Sequence, residues 1–431
     1  MKPFNVAIAG LGTVGGGAVA LLQKNAALIE KRAQRPVRIV ALSARDKTKD
    51  RGLDLSGIAW VDDPCALAQR EDVDVVCELI GGTDGKAAEL CTATLTAGKS
   101  LVTANKALLA ARGGALAALA QKHGGALMFE AAVAGGIPAI KVVRESLAGN
   151  SLSCVQGILN GTCNYILTRM EAEGLDFEPV LRDAQKLGYA EADPSADIDG
   201  HDTAHKLAVL SALAFGCPPE ASRPVVEGIR RLTQADIRYA RELGFRIKLL
   251  GVARYDVAQG LEQWVAPCLV PVEAALAKVD GVLNAVQLEG DAVGPLALIG
   301  RGAGAMATAS SVVGDLVDLA RGIRPQPWGQ AVDGLSALPP KDETAEGASW
   351  YIRLQVADKV GVLADIASIL RDRAISIATI LQRGEAAPEG GVVPVIIVTH
   401  HAPKAAITEA VAGLAALPDS GERPLCLRIE G

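Results

Sequence analysis

Residues 4–17, FNVAIAGLGTVGGG, decide the fold. An apolar strand, Val6–Gly10, runs into Gly10-Leu11-Gly12-Thr13-Val14-Gly15, and a helix-like run from Ala18 to Arg32 follows. Glycines at this spacing do three jobs in a dinucleotide site. Gly10 permits the tight turn, Gly12 lets the backbone approach a pyrophosphate, and Gly15 lets the helix sit close to the strand. The helix N-terminus then offers free N–H groups to phosphate oxygens, so Gly10, Gly12, Thr13, Val14 and Gly15 are the expected phosphate contacts. A lone GxGxxG says little, but the strand before it and the helix after it favour a nucleotide site over a turn that binds nothing. Lys2 ahead of an apolar run, with Ala18-Val19-Ala20 behind it, imitates a signal peptide; the glycines and threonine inside that run argue against one.

Working outward, strand and helix alternate through residues 1–131. Candidate strands are Val6–Gly10, Val37–Ser43, Val73–Ile80, Ser100–Thr103 and Leu127–Ala131. This rhythm predicts an α/β unit, a parallel sheet covered on both faces in the Rossmann manner. Residues 132–302 change character: helices at 163–173, 177–187 and 200–215, then strands at 246–255, 262–270, 284–289 and 295–299. That order predicts an α+β domain, one open sheet with helices on one side. A Gly-rich turn and long helix in 301–320 is expected to return to the nucleotide domain, its helix at 303–320. Residues 321–348, rich in Pro, Gly and Ala, read as a linker. The final block, 349–431, has strand, helix, strand, strand, helix, strand, a βαββαβ order.

Bulk properties narrow the function. The chain has 431 residues, enough for several domains, with 50% hydrophobic but only 3% aromatic content. A net charge of −6 without a basic block disfavours nucleic acid. Lys and Arg interrupt every apolar run before it reaches the roughly 18 residues of a membrane helix. The 8 cysteines contain no CxxC pair and read as core residues of a reduced, cytoplasmic protein.

The second strand ends Ala41-Leu42-Ser43-Ala44-Arg45, without a carboxylate at its tip, although Asp46 is adjacent. An acidic residue there would hold the ribose of NAD; Arg45 suits a 2′-phosphate, so NADP is expected, with NAD as the alternative. Gly81-Gly82-Thr83 follows the next strand, placing Thr83 near the nicotinamide ribose. Thr103-Ala104-Asn105-Lys106 ends another parallel strand, where open α/β sheets bind ligands, so Lys106 faces the crevice. Gly188 and Gly302 complete the expected cofactor contacts.

The densest polar stretch is GYAEADPSADIDGHDTAHK, residues 188–206. Asp202 and Lys206 stand four apart and share one helix face; taken alone they read as an exposed ion pair worth a few tenths of a kcal/mol. His201 and His205 have the spacing of a zinc HExxH motif, but with Asp in place of Glu and no third ligand in view.

These residues resemble a family. GLGTVG at 10–15, TANK at 103–106, EAAVAGGIP at 130–138, LNGTCNYIL at 159–167 and the 188–206 stretch are similar to homoserine dehydrogenase, across essentially the whole chain. DKVGVLADI at 358–366 resembles the Gly turn and helix of an ACT domain. The resemblance implies reversible NAD(P)H-dependent reduction of L-aspartate 4-semialdehyde to L-homoserine, towards threonine and methionine. It carries Lys206 over as proton donor and Lys106 as a lysine beside substrate and nicotinamide. Glu191 is carried over as the partner of the substrate's amino group and Asp202 as a second substrate contact. The chemistry agrees: hydride arriving on an aldehyde leaves an alkoxide that needs a proton and a nearby positive charge. The resemblance also implies a monovalent cation, sodium, held by Glu130 with main-chain carbonyls near Val133, Gly135 and Ile137; a Gly-Pro hinge is the alternative. It further implies a homodimer or homotetramer, and feedback by an amino acid, with L-threonine the natural effector.

Three rivals remain. A hydroxy-acid dehydrogenase of the phosphoglycerate type carries its GxGxxG well inside the chain. Aspartate-semialdehyde dehydrogenase needs an activated cysteine, and none here has a histidine neighbour in sequence. An inactive amino-acid sensor would not need Lys106, Glu191 and Lys206 intact.

Overall fold

A computed structural model describes residues 2–341, 347–382, 391–418 and 423–430. The N-terminal sheet is formed by Phe4–Ala9 (β1), Val37–Ser43 (β2), Ala59–Trp60 (β3), Val75–Glu78 (β4), Ser100–Thr103 (β5) and Leu127–Met128 (β6), in the order β3-β2-β1-β4-β5-β6. Every pairing is parallel. The β1, β4 and β5 strands are almost wholly buried and β-branched or apolar, as a sheet covered on both faces requires. Strand order reverses between β2 and β4 on either side of β1, the switch point at which such sheets bind ligands.

The first helix, Thr13–Lys24, starts five residues before the expected Ala18 and is separated at Asn25 from a second, Ala26–Ala33. Gly15, Gly16 and Gly17 therefore lie inside a helix despite their poor propensity. Packing is the reason at Gly17: a Cβ there would sit 2.5 Å from the Ala305 carbonyl oxygen. That oxygen belongs to helix Ala305–Ala320, which returns to lie on the first helix and buries Ala309, Val312 and Leu316 in the same core as Val6, Ile8 and Val19.

The second sheet has eleven strands. Leu152–Ile158 (β7), Val225–Val226 (β8), Phe245–Asp256 (β9), Gly260–Pro271 (β10), Leu283–Gly290 (β11) and Gly294–Arg301 (β12) come from the middle of the chain. Gly347–Ala357 (β13), Ile377–Gln382 (β14), Val392–Thr399 (β15), Ala402–Pro403 (β16) and Leu425–Ile429 (β17) come from its end. The main path is β12-β11-β7-β9-β10-β17-β13-β15-β14, with β8 beside β10 and β16 beside β13. The terminal βαββαβ block is thus fused edge to edge with the middle sheet, through a short parallel pairing of Cys268–Leu269 with Arg428–Ile429. Periodicity cannot foresee this, because it reports which residues are buried and not which strand lies beside them. β7 and helix Gln234–Glu242 were also not expected.

Two side-chain devices lock the units together. Asp236, fully buried, accepts hydrogen bonds from Arg353 Nε at 2.8 Å and Tyr351 Oη at 3.0 Å on β13. It also closes a capping box with Thr233, so one carboxylate both starts a middle helix and holds the terminal block. In the segment expected as a linker, Trp328 is buried against Phe129, ring centroids 5.1 Å apart, and against Gly113. That part of 321–348 is anchored in the core; a lone tryptophan in a Pro/Gly background gave no periodic signal.

Candidate active site

Two turns at the C-terminal ends of β4 and β5 form one wall of the crevice. Glu78, the last residue of β4, is wholly buried. Its Oε1 accepts the Ile80 and Gly81 N–H groups, and its Oε2 accepts the Thr103 hydroxyl at 2.7 Å. Asn105 then caps helix Lys106–His123 through the Leu108 N–H and donates to the Gly82 carbonyl at 2.7 Å. The 80–83 loop and the Thr103–Lys106 turn are thereby one rigid piece, which projects Lys106 from the first turn of its helix. Thr83 lies on this loop with its hydroxyl donating to Asp84.

The opposite wall is helix His201–Phe215. Asp202 and Lys206 sit on its buried face, each side chain 10% exposed. Lys206 Nζ donates to Asp202 Oδ2 at 2.7 Å and to the Leu159 carbonyl at 2.6 Å. Lys106 Nζ, from the other unit, lies 3.0 Å from Asp202 Oδ1. One carboxylate therefore bridges two ammonium groups supplied by helices of separate domains. Asn160 Nδ2 donates to the same Asp202 Oδ2 at 2.9 Å and to Asp197 at 2.7 Å, while its Oδ1 caps helix Gly161–Glu173.

Burial alone would raise the Asp202 carboxyl, but Lys206 and Lys106 outweigh it and hold it well below the usual carboxylate range. Asp202 in turn raises Lys106 against the opposing effect of burial. Asp197 is pushed up by burial and by the neighbouring Asp202. His205 is pushed down by burial. The exposed i,i+4 ion pair expected at 202 and 206 is instead buried and shared with Lys106, because the helix is apolar on nearly every face and goes inside. Glu191 is exposed on the adjoining loop, its carbonyl held by Gln185, and its charge reaches Lys106.

The glycine loop lies at the tip of β1. Gly10 has φ 96°, and a Cβ there would meet the Leu79 carbonyl oxygen at 2.4 Å. A Cβ at Gly15 would meet the Gly10 carbonyl oxygen at 1.8 Å. At Gly12 the space is open, both Gly12 and Thr13 are exposed, and the first helical turn carries no acidic residue. A cradle closed from behind, open in front and lined by N–H groups fits a pyrophosphate. Arg45 is exposed beyond β2. Arg51, which sequence reasoning missed, reaches back to the loop: its Nε donates to the Leu11 carbonyl and its Nη atoms to the carbonyls of Lys49 and Asp46. Gly188 is an exposed left-handed residue ending a helix. Gly302 is buried, and a Cβ there would meet the Asn284 side chain at 2.0 Å, so packing alone demands glycine.

Gly302 also lies against Gly135, in the 130–138 segment. Glu130 is buried, its two carboxylate oxygens accepting the Ile140 and Lys141 N–H groups at 2.9 Å each. The Gly135 carbonyl accepts from Ser311, and that of Ile137 from the Ala139 N–H. Ala134 and Gly135 both adopt positive φ, 54° and 50°, which is strained for alanine. Burial, then Asp315, pushes Glu130 up to about 7; burial pushes Asp315 up to about 6. Lys141 lies 3.3 Å from Asp315 and 2.5 Å from Asp318.

The functional residues missed at this site are Glu78, Asn160 and Arg51. Glu78 was signalled by a lone acid ending an apolar strand, and Asn160 stands within LNGTCNYIL. Arg51 carried no signal beyond a basic loop.

A nucleotide cradle at the sheet's switch point, with two lysines and a carboxylate across the crevice, defines an NAD(P)-dependent oxidoreductase acting on a CH–OH group. Family profiles described as "Homoserine dehydrogenase, NAD binding domain", "Homoserine dehydrogenase" and "ACT domain" match residues 10–130, 138–317 and 350–416. The chain is 45% identical to the homoserine dehydrogenase of Neisseria gonorrhoeae, covering 99% of this chain and 98% of that one. A solved homoserine dehydrogenase from Thiobacillus denitrificans superposes with TM-score 0.92 at 43% identity, covering 100% and 98%. A hyperthermophilic archaeal homoserine dehydrogenase in complex with NADPH aligns with TM-score 0.63 at 25% identity, covering 74% and 97%. The chain belongs to the homoserine dehydrogenase family. Among the described residues no helix is long and apolar enough to cross a membrane.

Proposed function

We propose that the chain interconverts L-aspartate 4-semialdehyde and L-homoserine, with Lys206 as proton donor to the substrate oxygen. The observation that carries this reading is the bridging of Lys106 and Lys206 by Asp202. The nicotinamide cofactor, when bound, supplies or takes the hydride. The protein does the rest. Lys206 protonates the alkoxide oxygen as charge develops on it, and Lys106 supplies a second positive charge beside it. Asp202 aims both amines at one point. Glu191 takes the substrate ammonium. Gly10, Gly12, Thr13, Val14 and Gly15 cradle the pyrophosphate, with Thr83, Gly188 and Gly302 as further cofactor contacts. The test is spectrophotometric: purified chain with homoserine and NADP must produce reduced cofactor, and no absorbance change would reject the reading.

For the cofactor we favour NADP over NAD, with Arg45 facing the 2′-phosphate; the NADPH complex of the archaeal relative and the placement of Arg51 beside Leu11 support it. The ratio of kcat/KM for NADPH and NADH decides, and a strong NADH preference removes the role given to Arg45. Sodium near Glu130, Val133, Gly135 and Ile137 is supported by the buried Glu130 and by the positive φ of Ala134 and Gly135 in that segment. Exposed Ile299 on edge strand β12 and Ile380 on edge strand β14 support a homodimer or homotetramer. The ACT domain suggests regulation by an amino acid, for which L-threonine is the first to assay.

A further inference from the structure

A cavity of about 430 Å³ lies in the seam between the terminal block and the middle sheet. Trp264 on β10 and Trp350 on β13 line it, with Ile407 and Val411 from helix Lys404–Ala415. Both indole N–H groups are already engaged, Trp264 with Glu262 and Trp350 with the Ala402 carbonyl, so what the indoles offer a ligand is carbon surface. Glu227 brings a negative charge to the lining, and Arg231, Lys404, Arg423 and Arg428 bring positive ones, of which Arg428 is paired with Glu262 and Glu430. Arg231 is held in place by donating to the carbonyls of Arg423 and Pro424 in the terminal block.

Glu227 and Arg231 belong to a strap that faces two ways. Val225 and Val226 pair with Trp264 and Val265, and the Glu227 N–H donates to the Val265 carbonyl at 2.7 Å. The residues between hold the substrate loop. The Ile229 N–H donates to the Ile198 carbonyl at 2.9 Å, and a Cβ on Gly228 would meet that same oxygen at 2.3 Å. Arg230 pairs with both oxygens of Asp199 and with the Ser195 hydroxyl. The short helix Ser195–Ile198 carries Asp197, which shares the Asn160 amide with Asp202. The strap is therefore linked to Asp202, the carboxylate that aims the two lysines, through residues 195–199 and Asn160.

We infer that this cavity binds an α-amino acid with an apolar side chain, and that the 225–231 strap passes its binding to Asp202. Glu227 answers the ammonium, Arg231 the carboxylate, and the indoles with Ile407 and Val411 the side chain. The volume lies within the roughly 300–1,000 Å³ of small-molecule sites. Isoleucine or methionine should fit better than threonine, whose hydroxyl would be set against carbon surface. The inference rests on the terminal block being regulatory, and it fixes where and how.

The experiment combines calorimetry and tryptophan fluorescence of the full chain with steady-state homoserine oxidation, using isoleucine, methionine and threonine. Isoleucine or methionine should bind, perturb the fluorescence and change kcat/KM. Glu227→Gln should weaken binding about tenfold or more, through loss of a charge-assisted hydrogen bond. Ala412→Trp, an exposed helix position on the cavity wall, should abolish binding by filling it. Arg230→Ala should keep binding but lose most of the effect on kcat/KM. No binding of either apolar amino acid overturns the site. Binding undiminished in both Glu227→Gln and Ala412→Trp also overturns it, by locating the amino acid elsewhere while regulation stands. Binding in the cavity with no change in turnover for any of the three upholds the site and rejects the regulatory reading on which the strap depends.

Discussion

Replacing Lys206 by alanine separates a proton donor from a structural lysine. The substitution deletes an amine that donates to the Leu159 carbonyl and to Asp202. Leu159 is fully buried, so its oxygen loses a partner at a cost of roughly 1–3 kcal/mol. Breaking a buried ion pair outright costs about 3–5 kcal/mol. Asp202 escapes that figure, because Lys106 and Asn160 remain within 3.0 Å of it. A loss of a few degrees in Tm is therefore expected, from a chain that still folds. Turnover should fall much further. A positioned general acid, which in the oxidation direction is the base that takes the hydroxyl proton, is worth about 10²–10⁴ in rate, or roughly 3–5 kcal/mol of barrier. The assay is kcat for homoserine oxidation at saturating NADP, with Tm and cofactor affinity measured on the same sample. Loss should appear in kcat, since the missing interaction forms as charge moves on the substrate oxygen. Lys206→Arg should not rescue it, because guanidinium does not release its proton near neutral pH. A folded Lys206→Ala chain that keeps kcat within about threefold of the parent would refute the assignment.

Three further outcomes follow from the same geometry. Gly12→Ala should leave Tm unchanged, since a Cβ there meets nothing within 4 Å, yet raise the KM for NADP; an unchanged KM would remove the pyrophosphate from this loop. Asp236→Ala removes the carboxylate that accepts from Arg353 and Tyr351 and should cost about 1.5–3 kcal/mol, read as a lowered denaturation midpoint that spares the N-terminal sheet. The Glu130 carboxyl, pushed up to about 7, favours folding at low pH and loses that contribution as pH rises through the folded value. Sodium beside it favours the ionised form, so the gain in Tm on exchanging potassium for sodium should grow as pH rises through about 7; a gain independent of pH would place any cation away from Glu130.

Much of this was legible in the chain because local pattern and local chemistry agree. The glycine loop, the alternating strands of the first sheet and the 201–215 helix announce themselves through spacing and burial pattern. Lys106 was legible as a residue at a strand end, and Lys206 through the motif it closes. Their meeting was expected only from the family resemblance, since spacing says nothing of how one domain sits on the other. The same limit hid Asn160, which serves Asp202 across 42 positions of sequence, and the fusion of β17 to β10. Trp328 escaped for a related reason: one anchor in a Pro- and Gly-rich segment has no period. Gly302 was expected to touch cofactor, and its neighbours now give a packing reason for glycine there.

The account stands on two amines from helices of different domains acting on one oxygen. The direct measurement is a crystal structure with NADP and homoserine bound. It should place the homoserine hydroxyl within hydrogen-bond reach, about 3 Å, of Lys206 Nζ, with Lys106 Nζ on the same side of the crevice. A hydroxyl farther than about 6 Å from both amines would contradict it.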